Sequence, residues 1–282
     1  MSTEDTINLH GTLPVTPLAF PTSKQPLDRE SLRDVIDLSL WTGQLLLQYG
    51  ADTERIEETV HRLGTALGAD WLDILISPNA IVATTISGDE FRTKIRRVVS
   101  IGVNMAILAD INELSRRVEM GELDRFGVRT ELTRIGKIRS LYNRWTVVLL
   151  VGLACAGLCR LLGGDWAAFA AALIASSVAT FFRQEMAHRY FNPLMVVTVT
   201  SFVAGTLASL LVRSGLTSTP LPLLSASVLM LVPGVPLINA MQDMIKGHLV
   251  TGFARGFMGA LISMAIALGL LLAMLLIGVE GL

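Results

Sequence analysis

The chain has 282 residues, 51% of them hydrophobic, and a formal net charge of −1 at pH 7. Because this balance provides no basic face, it argues against a nucleic-acid-binding protein. The charged residues are unevenly distributed: residues 1–145 carry 17 Lys and Arg and 20 Asp and Glu, whereas residues 146–282 carry six and four. The composition therefore predicts a polar N-terminal part followed by a part that lies within a lipid bilayer.

The polar part is predicted to divide into an arm and a small domain. Residues 1–27 contain four prolines and no hydrophobic periodicity, which predicts a flexible Pro-rich arm. The first ten residues are acidic and contain no apolar core of a signal peptide, so no cleaved leader is expected. Residues 28–145 mix helical and strand-like patterns, which predicts a cytoplasmic α+β domain.

Start and stop signals delimit the elements of this domain. Asp28 is the expected N-cap of the first helix, and Gly50 and Gly68 are expected to stop the first and second helices. The runs LDILIS, AIVATTIS and EFRTKIRRVV are short and β-rich, and they predict three strands. The domain is expected to contain helices over about 28–49, 53–67 and 104–120, with the strands within 72–99.

Five apolar segments follow, each near or above the roughly 17 residues needed to cross the hydrocarbon core. They cover about 146–162, 166–182, 193–212, 221–245 and 253–279. The predicted fold class is a polytopic α-helical membrane protein, with five transmembrane helices preceded by a small cytoplasmic α+β domain. Residues 146–282 form its membrane domain.

Basic residues concentrate on one side of these segments. Residues 125–144 hold six Lys and Arg against one acid, and Arg183 and Arg189 lie between the second and third segments. Lys246 and Arg255 lie between the fourth and fifth. Since cytoplasmic loops carry the excess of basic residues, the N-terminus is expected in the cytoplasm and the C-terminus on the opposite side of the membrane.

The fourth segment is interrupted in its middle. Pro233 and Pro236 cannot donate a backbone hydrogen bond, and Gly234 lies between them. Such a break survives in hydrocarbon only against protein or a water-filled cavity, and broken helices often form the substrate sites of secondary transporters. The N-terminal end of the restarted helix would attract an anion. A simple proline kink packed against its neighbours is the alternative.

Polar residues follow the break on one face of a helix. Asn239, Asp243 and Lys246 are spaced four and three residues apart, and ionisable groups inside a span are usually functional. The alternative is that Asp243 and Lys246 form a solvated ion pair at the cytoplasmic interface. Arg255 suits a carboxylate substrate, although it also lies where it could reach the lipid headgroups. These residues and the break together are the predicted substrate or ion site.

Catalytic and metal-binding patterns are not found in the sequence. There is no Gly-rich phosphate loop, HExxH motif or nucleophile elbow. A hydrolase site around His61 with Asp52, Glu57 or Ser77 has no spacing to support it. Cys155 and Cys159 have too few companion ligands for a metal and are expected to pack as small apolar residues. We therefore expect no enzymatic activity, no metal and no cofactor.

Three stretches resemble the threonine/serine exporter family in its split-subunit form: LLLQYGADTERIEETVHRLGTALG, ISPNAIVATT and LVPGVPLINAMQDMIKGHLVTGFAR. The resemblance covers about residues 35–275. The family motif of the membrane part corresponds to Pro233, Gly234, Pro236, Asn239, Asp243, Gly247, Gly252 and Arg255. That of the N-terminal part corresponds to Gly50, Ala51, Arg55 and Glu57. Gln242 stands where fused exporters more often have a basic residue, which puts shared amino-acid specificity in doubt.

The resemblance implies a transporter subunit of the bacterial inner membrane, so the C-terminus is expected in the periplasm. It also implies that the chain acts with a separately encoded small membrane subunit, and a higher oligomer stays open. The expected function is export of a small carboxylate driven by an ion gradient, with succinate first and threonine or serine second. A membrane-anchored cytoplasmic enzyme or sensor is the alternative of a different class. The break in the fourth segment argues against it, because an anchor gains nothing from such a break.

Overall fold

The computed structural model describes residues 24–99, 102–138 and 142–278. The predicted Pro-rich arm, residues 1–27, lies outside these ranges except for 24–27. The backbone N–H of Leu27 donates to the Ser87 hydroxyl at 2.9 Å, so the end of the predicted arm lies against the strands. The flexibility predicted for residues 1–23 stays a prediction.

The N-terminal module, residues 29–136, packs helices on one face of a small sheet. Its elements are α1 (Arg29–Gln48), α2 (Thr53–Ala66), β1 (Trp71–Ser77), β2 (Ala80–Ser87), β3 (Glu90–Arg97), α3 (Met105–Glu119) and α4 (Arg125–Gly136). The strands are antiparallel in the order β1-β2-β3, with Ile81 opposite Ile76 and Arg96. Apolar residues from the helices and strands, among them Ile36, Ile56 and Ile81, are fully buried in one core. The predicted elements are confirmed to within a few residues.

Helix α4 was not predicted from the sequence. Asp124 caps it by accepting the Gly127 backbone N–H at 2.8 Å, and Val128, Leu132 and Ile135 are fully buried on its inner face. Its four-and-three spacing of apolar residues is the ordinary signal of an amphipathic helix. The basic residues of the stretch 125–144 were interpreted only as an orientation signal. Of these, Arg129 and Arg134 are exposed on the outer face of α4.

The second part of the chain is helical. Its elements are α5 (Arg144–Leu161), α6 (Trp166–His188), α7 (Pro193–Arg213), α8 (Pro220–Leu229), α9 (Gly234–Ile245) and α10 (Leu249–Ile277). Among the described residues, α5, α6, α7 and α10 are long and apolar enough to cross a membrane, and α8 with α9 would make a fifth span if the pair acts as one. These helices correspond to the five predicted segments.

The predicted break in the fourth segment is confirmed and is larger than a kink. Helix α8 ends at Leu229, α9 begins at Gly234, and their axes differ by 70°. The two prolines explain the break locally, because neither can donate the backbone hydrogen bond that a continuous helix needs. As a result α9 leaves the bundle of α5 to α8 and packs against α10 and the start of α2.

Small residues bring α7 and α10 into close contact. A methyl group at Gly269 would lie 2.4 Å from the Thr198 carbonyl oxygen and 2.9 Å from the Phe202 amide nitrogen, both of them backbone atoms. The Ser201 hydroxyl donates to the Ile266 carbonyl at 2.7 Å. Close backbone approach and interhelical hydrogen bonds are the main sources of association between helices in a membrane.

We expect the change Gly269→Ala to separate α7 from α10, since the clash involves backbone that cannot rotate away. The expected loss of stability is about 1–3 kcal/mol, measured by thermal unfolding of the purified protein in detergent. The matched control is Gly157→Ala in α5, because a methyl group there meets nothing within 4 Å. The control should be neutral or slightly stabilising. Equal melting temperatures for the two variants would contradict the close-packing interpretation.

The end of the helical part that lies far from the module is held by Asp165, the N-cap of α6. Its carboxylate accepts the backbone N–H groups of Ala168 at 2.6 Å and Ser218 at 2.9 Å, together with the Thr217 hydroxyl. These hydrogen bonds lower the pKa of Asp165 to about 2. The α5–α6 and α7–α8 connections are therefore joined at this end.

Candidate functional site at the junction

Asp243 lies at the centre of the contact between the helical part and the N-terminal module. Its side chain is fully buried. One carboxylate oxygen accepts the Thr53 backbone N–H at 2.9 Å, and the other accepts from Arg255 Nη1 at 2.7 Å. Arg255 is also largely buried, with its side chain 12% exposed. A buried carboxylate therefore joins α9, α10 and α2.

Asp243 caps α2 from a distance of 190 residues along the chain. The N-cap residue of α2, Asp52, has extended backbone but its own side chain makes no capping hydrogen bond. The first amide of the helix, that of Thr53, donates to Asp243 instead. A carboxylate at this position satisfies a free N–H and interacts favourably with the helix dipole. The Thr53 hydroxyl is buried and makes no hydrogen bond.

Asn239 contacts the loop that precedes α2. Its Nδ2 donates to the Gly50 carbonyl at 2.7 Å. Gly50 has a φ of +94°, and a methyl group there would lie 3.2 Å from the Gly102 carbonyl oxygen. This conformation favours glycine, so the family-motif glycine is needed to shape the loop that meets Asn239. Ala51, which follows it, is buried.

Charges of opposite sign surround this centre. Lys246 Nζ donates to Asp52 Oδ2 at 3.2 Å and also contacts Glu54. His248 Nδ1 lies 3.7 Å from Glu57 Oε1. The acids belong to the first turns of α2 and the bases to the membrane helices, so the two surfaces are complementary. Because these groups are partly exposed, each pair contributes little to stability by itself.

Burial raises the pKa of the Glu57 carboxyl, and the neighbouring Glu54 and Asp243 charges raise it further, whereas His248 opposes the shift. Glu57 therefore protonates at a higher pH than an exposed glutamate does. The buried Thr251 hydroxyl donates to the Ile76 carbonyl at 3.2 Å, which joins the start of α10 to β1.

The predicted site residues fall into two groups. Asn239, Asp243 and Lys246 contact the module, and Arg255 contacts Asp243. On the module side, Gly50 and Glu57 of the N-terminal motif lie at this junction, and Ala51 is buried next to Gly50. Pro233, Gly234 and Pro236 lie at the opposite end of α9, since nine residues of helix separate Gly234 from Asp243 by roughly 14 Å. Arg55 is exposed. The two family motifs thus meet each other at the C-terminal end of α9.

Several contacts could not be found by sequence reasoning alone. The solvated Asp243–Lys246 ion pair that was considered is not formed, because the two side chains have different partners. The partners that were missed are Asp52, Thr53, Glu54, His248 and Thr251. The available signal in the sequence was that acids cluster at the start of α2 while Lys246 and His248 directly precede α10. Gly252 packs its backbone against α9, where a methyl group would lie 2.9 Å from the Ala240 carbonyl oxygen.

Other candidate groups have ordinary structural surroundings. Cys155 and Cys159 are both fully buried, as expected of small apolar residues. His61 Nδ1 lies 2.8 Å from the Leu72 carbonyl oxygen, and its ring stacks edge-on against Trp71. No group of three or more His, Cys, Asp or Glu side chains in the described part of the chain is arranged to hold a metal ion.

The family model described as "Putative threonine/serine exporter" (ThrE) matches residues 37–277. The chain belongs to the threonine/serine exporter family. It is 39% identical to "Probable succinate transporter subunit YjjP" of Klebsiella aerogenes, over 90% of this chain and 98% of that protein. The protein of the same name in Escherichia coli K12 is 38% identical, over 90% and 99%. The family resemblance is therefore confirmed over almost the whole chain.

More distant members of the threonine/serine exporter family are longer. "Threonine/serine exporter" of Corynebacterium glutamicum is 24% identical over 82% of this chain but only 48% of its own length. No solved structure matches the chain. The family and the named relatives are transporters, and two of them are named as subunits.

Proposed function

We propose that the chain is an inner-membrane subunit of a small-carboxylate exporter, with succinate as the substrate. The observation that carries this proposal is the similarity to two succinate transporter subunits over almost the full length of both proteins. Because those relatives are named as subunits, a separately encoded small membrane subunit is the proposed partner. An ion gradient is the proposed driving force, and no catalytic step is assigned to the chain.

The chemistry of the junction agrees with an anionic substrate. Arg255 is a largely buried cation at the end of a long apolar helix, and arginine pairs well with carboxylates. The proposed substrate or ion site consists of Pro233, Gly234, Pro236, Asn239, Asp243, Lys246 and Arg255. The break sets the direction of α9. The charged groups lie near the C-terminal end of α9 and the start of α10.

Threonine or serine is the second candidate substrate, since the family is described by these amino acids. Either one has a carboxylate that Arg255 would suit, but also an ammonium group that requires an acid. We expect cells that express this chain with its partner subunit to export succinate at least several-fold faster than cells that express either alone, as measured by efflux from preloaded cells. Export of threonine or serine with no export of succinate would contradict the succinate assignment.

We also propose that the N-terminus lies in the cytoplasm and the C-terminus in the periplasm, with five spans and with domain limits at 28–145 and 146–282. Reporter fusions at Gly164, Ser214 and Leu282 should be active outside, and fusions at Ala187 and Gly247 inside. The basic residues near the α6–α7 and α9–α10 connections support this orientation. A reporter at Leu282 that is active in the cytoplasm would contradict the periplasmic C-terminus, and with a cytoplasmic N-terminus it would require an even number of spans.

A further inference from the structure

We infer that Asp243 occupies a built-in carboxylate site and that a substrate carboxylate replaces it there during transport. This inference rests on the proposed function and adds to it the chemical identity and the control of the binding site. The starting observation is that the Asp243 carboxylate is held as a bound carboxylate ligand would be. It accepts from Arg255 on one oxygen and from the backbone N–H at the start of α2 on the other.

The surroundings of Asp243 contain more binding capacity than Asp243 uses. The Thr53 hydroxyl, next to the amide that donates to Asp243, is buried and makes no hydrogen bond. Within the described residues, Arg255 makes one hydrogen bond, from Nη1 to Asp243, although a guanidinium has five N–H donors. An amide and an arginine thus hold the Asp243 carboxylate, and the residue that supplies the amide also has a buried hydroxyl without a hydrogen bond.

Displacement of Asp243 would change the contact between α9 and the module. The substrate carboxylate and Asp243 cannot occupy the same place, so Asp243 must leave it when the substrate binds, and a movement of α9 away from α2 would carry Asp243 out. The other contacts of α9 with the module are of kinds that exchange readily, namely the exposed Lys246 ion pairs and the single Asn239 hydrogen bond. Asp243 therefore closes the site in the absence of substrate, and the substrate opens the junction.

The test is succinate binding to the purified complex of this chain and its partner subunit in lipid nanodiscs. With an internal competitor, the apparent affinity equals the intrinsic affinity multiplied by the fraction of time for which the site is free. The change Asp243→Asn should therefore increase succinate affinity, by about tenfold if the closed state dominates by that factor. Asp243→Glu keeps a carboxylate and is the matched control, with no increase in affinity. The double variant D243N/R255Q should not show this increase in affinity, because Arg255 is the residue that would bind the substrate carboxylate.

The same titrations with threonine and serine separate this inference from the proposed function. If Asp243→Asn tightens binding of an amino acid while succinate does not bind, the inference stands and the succinate assignment is wrong. If no carboxylate binds more tightly to Asp243→Asn than to Asp243→Glu, the inference is wrong, and Asp243 has only a structural role.

A second measurement avoids changes at Asp243. In a chain with Cys155 and Cys159 replaced by alanine, cysteines at Glu54 and Lys246 should be joined readily by a bifunctional thiol reagent that spans the length of the two original side chains, since the ends of those side chains are in contact. Saturating succinate should slow the cross-linking several-fold, whereas chloride at the same ionic strength should not. Cross-linking that is unaffected by every carboxylate tested would overturn the proposed opening of the junction.

Discussion

Replacing Pro233, Gly234 and Pro236 together by alanine is expected to reduce efflux to background while the protein still inserts into the membrane. Alanine is a strong helix former, so α8 and α9 should join into one continuous helix. Straightening a 70° bend would move Asp243 by roughly 15 Å relative to α8, from the helical rise per residue. Asp243 would then lose its contacts with Thr53 and Arg255, or α10 would have to move with it.

The measurement is succinate efflux normalised to the amount of protein in the membrane. The matched control replaces Pro220 and Pro222 by alanine in the first turn of α8, where proline is tolerated and its loss should not change the course of the helix. Efflux should persist in this control. Normal efflux from the triple variant at normal abundance would show that the break has only a packing role and that transport does not depend on the position of Asp243.

Arg255→Gln is expected to destabilise the protein by about 3 kcal/mol, because removing one partner of a buried ion pair leaves the other charge buried and unpaired. Asp243 is fully buried, whereas Arg255 retains some exposure. Asp243→Asn should therefore cost less than Arg255→Gln, since the charge that remains can reach water. Thermal unfolding in detergent measures the difference, and efflux should be lost in Arg255→Gln.

Two further variants complete this test. Arg255→Lys keeps the positive charge but loses the planar guanidinium, so intermediate stability and weakened efflux are expected. The double variant D243N/R255Q removes both charges and should recover much of the stability lost in Arg255→Gln without recovering efflux. If Arg255→Gln unfolds at the same temperature as the unchanged protein, the pair makes no net contribution to stability.

The amino-acid sequence by itself determined the order of the elements along most of the chain. The positions of the apolar helices follow from length and hydrophobicity, and the three strands follow from short β-rich runs between turn residues. The break between α8 and α9 was also predictable, because a proline lacks its backbone donor whatever surrounds it. Helix α4 was missed although its apolar spacing was visible, since its basic residues were interpreted as an orientation signal alone.

Only the tertiary structure decided what the polar face of α9 contacts. The sequence places Asn239, Asp243 and Lys246 on one face of a helix. Such a face could line a substrate cavity, lie at a solvated interface or contact another part of the protein. Their partners lie 189 to 194 residues earlier in the chain. The 70° bend directs this face towards the N-terminal module. A proline break is compatible with many bend angles, so the observed angle depends on the packing of α9 against α10 and α2.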